Sequence, residues 1–255
     1  MITLYQFTIS QFCEKARWAL DHKGLIFTTE NLLPGTHARK ALKVASSTQL
    51  PILRHGMNYI QGSGNIITHL DDAFPTRLLT PEDPELRKEA LELERRLDKD
   101  AGLHLRRFFY TYMLQDSRQL RKLITLYGPW YSNNFYTLML PTIKSRLVRD
   151  MKLNALEAER SRLILNNLLV HLDQKLENKE YLVGDRFTRA DLTAAALLSP
   201  ICQPPEHPYH TENLRLPHDL AEFQDRLKDR PFYHWVQRLY QQHRWEVKPA
   251  DRYML

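Results

Sequence analysis

The spacing of apolar positions predicts a mixed strand-and-helix unit first and an all-helical stretch after it. Ile2-Thr3-Leu4-Tyr5-Gln6-Phe7 is a short apolar and aromatic run with the character of a buried strand. Thr8-Ile9-Ser10 closes it in a turn that ends on a good N-cap residue. From there Phe12, Ala16 and Leu20, with Cys13 and Ala19 beside them, recur at helical spacing. Glu14, Lys15, Arg17 and Asp21 fall mostly on the other side, and Gly24 ends the helix as a C-terminal cap would. A helix that starts directly after a strand aims free N–H groups and its positive dipole end at whatever lies over Ser10, which makes a seat for an anion.

Leu25 to Leu33 reads as a second strand, Pro34-Gly35 as a turn, His37 to Val44 as a short helix and residues 45–49 as a polar loop. In Leu50-Pro51-Ile52-Leu53 the proline suits the first residue of a strand and admits a cis bond in a tight turn. His55-Gly56-Met57-Asn58 predicts a hairpin turn into Tyr59-Ile60, and Ser63 a cap for a helix from Gly64 to about Phe74.

The rhythm then changes. Pro75 to Pro84, with three prolines, reads as a linker. Beyond it Glu85 to about Gln115, Leu120 to Tyr127, Phe135 to Met151, Ala155 to Leu176, Ala190 to Leu198 and Leu220 to His243 show three-and-four spacing, with Gly102 and Pro141 as places where a helix would kink or break. The expectation is an α/β plus all-α chain: a mixed four-stranded sheet domain over 1–75, a linker at 76–84 and a helical bundle over 85–255.

Composition changes this picture little. At 255 residues and 43% hydrophobic content the chain can bury a real core. The formal charge of +6 divides into +2 for residues 1–75 and +4 for the rest, so no basic stripe forms; Arg95-Arg96, Arg106-Arg107 and Arg160 with Arg162 read as solvated helix faces, and nucleic acid is not an expected partner. Two cysteines, Cys13 and Cys202, with no signal-peptide pattern and no membrane-length apolar run, lead to the expectation of a cytoplasmic protein without a membrane partner. Glu206-His207-Pro208-Tyr209-His210 sits in a Pro-rich loop with no fixed helical face, a poor template for a metal, and none is expected.

Leu4-Tyr5, Ser10-x-x-Cys13-x-Lys15-x-Arg17-x-Ala19-Leu20, Leu50-Pro51-Ile52-Leu53 and Ser63-x-x-Ile66 resemble, in order and spacing, the thioredoxin-like N-terminal domain of bacterial-type glutathione S-transferases. Gly184-Asp185-Arg186-Phe187-Thr188-Arg189-Ala190-Asp191 resembles the N-capping box of that family's helical C-terminal domain, with Thr188 at the cap and Asp191 three residues on. The resemblance spans about 190 residues and implies a transferase that activates the glutathione thiol for attack on a small hydrophobic electrophile or a peroxide, as in detoxification. Glutathione is then a co-substrate, no cofactor is tightly bound, and the protein is a homodimer.

The resemblance also implies roles. Ser10 would donate its hydroxyl to the sulfur, Leu50 before Pro51 would pair its backbone with the cysteinyl part, and Ser63 would hold the γ-glutamyl carboxylate. The family commonly has Glu or Gln immediately before that serine; here Gly62 stands there, and Gln61, one place earlier, is the candidate to reach the same carboxylate. His37, Gln49 and Lys43 are candidates for the glycine carboxylate. Aromatics on the first long helix and beyond it, among them Phe109, Tyr110, Tyr127, Trp130, Tyr131, Phe135 and Tyr136, offer an apolar surface, of which Phe108 and Tyr112 are the expected lining of the second-substrate pocket. The tail from Pro231 to Trp245 is expected to pack back onto the helical bundle.

Three readings stay open on the sequence. Ser10 is a thiolate donor or only an N-cap; Cys13 is a packing residue or the thiol of a one-thiol glutathione-dependent redox reaction; and the chain is an enzyme or a non-catalytic scaffold on the same fold that binds a protein partner.

Overall fold

A computed structural model describes residues 1–128, 132–210 and 214–245. Strands β1 (Ile2–Gln6), β2 (Thr28–Asn31), β3 (Ile52–His55) and β4 (Asn58–Gln61) form one sheet in the order β2-β1-β3-β4. β1 runs parallel to β2, with Thr3 opposite Thr28, and antiparallel to β3, with Tyr5 opposite Ile52. All five residues of β1 are buried, as a central strand covered on both faces requires. The second strand is shorter than its apolar span suggests: Leu25 to Phe27 lie outside the ladder, and Ile26 is exposed.

Helices α1 (Gln11–His22), α2 (His37–Val44) and α3 (Ser63–Ala73) complete the N-terminal part. Gly62, at φ 92°, is the N-cap of α3, so Ser63 opens the helix as its first residue and is not the cap. The peptide bond between Leu50 and Pro51 is cis.

Every later element among the described residues is a helix: α4 (Pro84–Leu97), a π-helical segment (Asp98–Leu103), α5 (His104–Met113), α6 (Ser117–Thr125), α7 (Ser132–Met151), α8 (Ala155–Lys175), α9 (Arg189–Cys202), α10 (His218–Asp225) and α11 (Pro231–His243). Pro141 lies within α7 and Pro200 within α9 without ending either helix. The segment from Leu220 to His243 is two helices, because Pro231 starts a new one where its missing N–H costs nothing. Thr188 and Asp191 form a reciprocal capping box: Asp191 accepts from the Thr188 N–H at 2.9 Å, and also from Leu182 N–H at 2.7 Å.

The largest departure from the sequence pattern concerns the polar residues of α1. They are not a solvated face. Glu14, Lys15, Arg17 and Asp21 are all buried, because α1 is sandwiched between α3 and α9. Lys15 Nζ lies 2.8 Å from both Glu94 and Asp98, and Arg189 Nε lies 2.7 Å from Glu94 while its NH2 group donates to Gly64 C=O at 3.0 Å. This pairing spans α1, α3, α4 and α9 and fixes the two parts of the chain against each other. Charges withdrawn from water persist only when paired and hydrogen-bonded, so the arrangement specifies one docking geometry.

The tail packs on the bundle as expected, α11 lying against α9 and α8, and its end goes further. It passes over the bundle and ends against α1: Arg244 Nε is 2.7 Å from Glu14 Oε1 and its NH1 group is 2.8 Å from Asp21, while Trp18 packs on Tyr240 with ring centres 4.4 Å apart. Among the described residues no helix is long and apolar enough to cross a membrane.

Candidate functional site

A cavity of about 400 Å³ opens between the sheet domain and the helices, and Ser10 is on its wall. The turn after β1 places Ser10 there, in extended conformation, with Gln11 and Phe12 following into α1. Its Oγ accepts a hydrogen bond from the Cys13 N–H at 3.4 Å, so Ser10 does cap the helix. That bond uses a lone pair and leaves the hydroxyl proton available to donate. Capping and donation are therefore compatible in one side chain.

Cys13, one turn further on, is fully buried and does not line the cavity. Burial pushes its thiol pKa up, against the opposing effects of Arg17 and the Ser10 hydroxyl. A buried, protonated thiol is a poor nucleophile, which removes the structural basis for one-thiol chemistry there.

The π-helical segment seats the start of α1. Gln11 Nε2 donates to Gly102 C=O at 2.9 Å, and the Phe12 ring lies where a Cβ on residue 102 would be, 2.3 Å from its Cζ. A π-turn carries more residues per turn than an α-helix, so it rotates the face that the following helix presents. The lining of the cavity differs from the one expected. Phe108 is buried inside the helical part, 5.0 Å from Tyr112 and 4.8 Å from Phe223 between ring centres, and neither Phe108 nor Tyr112 reaches the cavity. Leu105, Arg106, Phe109 and Tyr110 line it instead. Arg106 is thus exposed on a cavity wall, and the half-buried Arg107 pairs with Glu157 at 3.0 Å.

His37 lines the cavity as well. Its ring is edge-on to Phe7 at 4.7 Å, and its Nδ1 accepts from the Gly35 N–H at 3.2 Å, which leaves the proton on Nε2. Burial pushes its pKa down, so at neutral pH it offers a neutral donor and not a cation for a carboxylate.

The other proposed glutathione contacts lie off this wall, along the edge formed by the 45–51 loop, β4 and α3. The Leu50 main-chain N–H and C=O have no partner among the described residues. The first turn of α3 has no side-chain cap, and the N–H groups of Ser63, Gly64 and Asn65 have no acceptor among the described residues. Gln61 is committed elsewhere: both hydrogens of its amide nitrogen go to main-chain oxygens, Ser47 and Gln49, at 2.8 Å each. It therefore holds the loop and has no free donor for a carboxylate. Gln49 and Lys43 are exposed beside that loop.

Sequence reasoning missed the far wall. Ser199, Pro200, Gln203, Pro204, His207 and Tyr209 line the cavity from the end of α9 and the loop after it. Pro200 near the end of α9 and the Pro204-Pro205 pair just after it are the signals the sequence offers. His207 does not work as a metal ligand there: its Nδ1 lies 2.9 Å from Tyr209 C=O, and its Nε2 faces Glu14 at 3.9 Å. Burial pushes its pKa down to about 4, against the pull of Glu14. Burial alone would raise Glu14, but Arg244, His207 and Arg17 together bring it to about 2. Beside them Tyr209 lies under the Arg17 guanidinium, 4.7 Å from its ring centre. Among the described residues no group of three metal-binding side chains converges. Trp130 and Tyr131 lie outside the described residues.

A thioredoxin-like sheet domain, a helical second part and a serine on the cavity between them define the glutathione S-transferase architecture. The pattern described as "Glutathione S-transferase, N-terminal domain" matches residues 4–78, and "Glutathione S-transferase, C-terminal domain" matches 135–208. Together they cover more than half of the chain, which belongs to the glutathione S-transferase family.

The fold is similar to a glutathione S-transferase from Rhodospirillum rubrum, with 18% identity, 94% of this chain and 91% of that one covered, and a TM-score of 0.60. It is also similar to a Methylobacterium radiotolerans glutathione S-transferase solved in complex with glutathione sulfonate, at 22% identity, 91% and 92% coverage and a TM-score of 0.57. A third similar structure is the beta-etherase LigF from Sphingobium, at 19% identity, 94% and 99% coverage and a TM-score of 0.58. No curated protein matches the chain.

Proposed function

We propose that this chain is a glutathione transferase in which Ser10 donates a hydrogen bond to the glutathione sulfur and holds it as the thiolate, for attack on a hydrophobic electrophile or peroxide bound in the cavity. The observation that carries the reading is the Ser10 hydroxyl itself: it is on the cavity wall, and its bond from Cys13 N–H leaves its own proton free. The unpartnered Leu50 main chain supports pairing with the cysteinyl peptide. The uncapped first turn of α3, with Ser63, supports a seat for the γ-glutamyl carboxylate without Gln61.

The energetics fit this division of labour. Lowering a thiol from about pKa 8.5 by two units takes roughly 2.7 kcal/mol. A helix N-terminus contributes about 0.3 to 2 kcal/mol, and a hydrogen bond to a charged sulfur about 1.5 to 3 kcal/mol, so the two together suffice where the dipole alone does not. Ser10 acts as donor and needs no base. A homodimer and a cytoplasmic location belong to the same proposal.

Calorimetric titration of the full-length chain with glutathione tests it. Binding with release of a proton near neutral pH is expected, and no binding at millimolar glutathione would sink the reading and favour a non-catalytic scaffold.

A further inference from the structure

The arginines of the helical part and of its junction with the sheet domain include several that are well paired. Arg17, Arg107, Arg189, Arg230 and Arg244 each meet a carboxylate within 3.0 Å. Two are not. Arg106 on α5 and Arg146 on α7 both line the cavity, and neither makes an ion pair or a hydrogen bond among the described residues. Both residues are exposed on the cavity wall, and the protein packed about the Arg106 guanidinium, together with Arg107, pushes its pKa below the usual value.

The rest of the wall explains what such cations could serve. It is largely apolar, with Phe12, Leu105, Phe109, Ile143 and Leu147 among its residues. The one carboxylate lining it among the described residues, Asp150, already accepts from Arg149 Nε at 3.0 Å. Tyr110, beside Arg106, has its phenol pKa pushed up by burial, so it stays neutral. An apolar chamber whose uncompensated formal charge is positive favours a ligand with a hydrophobic body and an anionic end, because the guanidinium regains in the complex the partner it lacks in the free protein.

We infer that the second substrate is an organic acid: an apolar, aromatic-sized body held against Phe109 and Leu105, with a carboxylate received by Arg106 and assisted by Arg146. The inference rests on the transferase reading only in calling this ligand a substrate; the anion-binding wall exists independently of glutathione.

The test is calorimetric titration of the full-length protein with 2-naphthylacetate and with its uncharged amide, in wild type and in Arg106→Gln, Arg106→Lys and Arg146→Gln. The acid is expected to bind at least about tenfold more tightly than the amide in wild type. Arg106→Gln should bring the two within about twofold without weakening the amide, and Arg106→Lys should keep part of the preference. Acid binding no better than amide binding in wild type overturns the inference, as does a preference that survives in both glutamine variants. Loss of acid binding at saturating glutathione also overturns it, since the arginines would then serve glutathione. An acid preference in a protein that fails to bind glutathione supports the inference while the transferase reading falls.

Discussion

Arg244, from the last described turn of the chain, places its Nε 2.7 Å from Glu14 Oε1, four residues beyond Ser10, with both side chains fully buried. The end of the helical part thereby anchors the helix that carries the candidate donor. Arg17 binds the other oxygen of the same carboxylate at 2.8 Å and also donates to Gln6 and to Thr8 C=O, so the floor under the Ser10 turn is one connected polar network.

Removing one member of such a network strands a charge in a dry environment. Arg244→Met is expected to destabilise the protein by about 3 kcal/mol, read as a lowered urea midpoint at unchanged slope. Truncation before residue 244 should give a similar loss. A change below about 1 kcal/mol in both would show that Arg17 alone suffices for Glu14.

The pH dependence of stability follows from three buried groups of opposite sign. His207 falls from 6.5 to about 4 in the fold, so the unfolded chain takes up a proton first and stability is lost as pH falls from 6.5 to 4. Glu14 falls from 4.5 to about 2 and continues the loss from pH 4.5 to 2. Asp191, raised by burial from 3.8 to about 6 against its hydrogen bonds, acts oppositely: its contribution is full below 3.8 and is lost as pH rises to 6. His207 and Asp191 therefore offset each other between pH 4 and 6. The stability difference between wild type and His207→Asn should change by about 2–3 kcal/mol from pH 6.5 to 4, in the sense that the variant tolerates acid better. Asp191→Asn should show the reverse trend, and urea titrations at stepped pH read both.

Gly102 has no room for a side chain. Its Cβ would fall 2.3 Å from Phe12 Cζ, so Gly102→Ala must displace the ring or the backbone. We expect a cost of about 1–3 kcal/mol in thermal or urea unfolding. With Phe12→Leu the clash disappears, and the double variant should be more stable than the sum of the single losses predicts, by about 1 kcal/mol or more. Additive losses would mean that the π-turn, and not the ring, yields.

These cases show where the sequence was legible. The β1 strand, the Ser10 turn, the hairpin at Gly56 and the capping box of Thr188 with Asp191 depend on neighbours in the chain, and local chemistry predicts them. The burial of the charged face of α1 is not legible locally because its partners are far away in sequence: Glu94 and Asp98 for Lys15, and Arg244 for Glu14. The family resemblance and a four-residue spacing point to Phe108 and Tyr112 for the pocket, but neither tells which face of α5 looks onto the cavity, and Leu105, Arg106, Phe109 and Tyr110 carry that face. Aromatic content gave the presence of an apolar surface, but not which side of α5 would carry it.

The Ser10 prediction separates donor from cap. Ser10→Ala removes the hydroxyl that accepts from Cys13 N–H, and should cost about 1 kcal/mol of stability as a lost N-cap. It also removes the proposed donor to sulfur, worth about 1.5–3 kcal/mol, so kcat/KM near neutral pH should fall roughly 10- to 150-fold with the pH profile displaced upward. A pure cap predicts the first effect alone. Ser10→Thr, which keeps both the cap and the donor, should retain most of the rate, and Cys13→Ala should leave the profile in place because that thiol is buried off the cavity. Ultraviolet titration of the bound thiolate reads the same displacement without turnover. Equal thiolate pKa values in wild type and Ser10→Ala would leave the helix N-terminus as the stabiliser and Ser10 as its cap only.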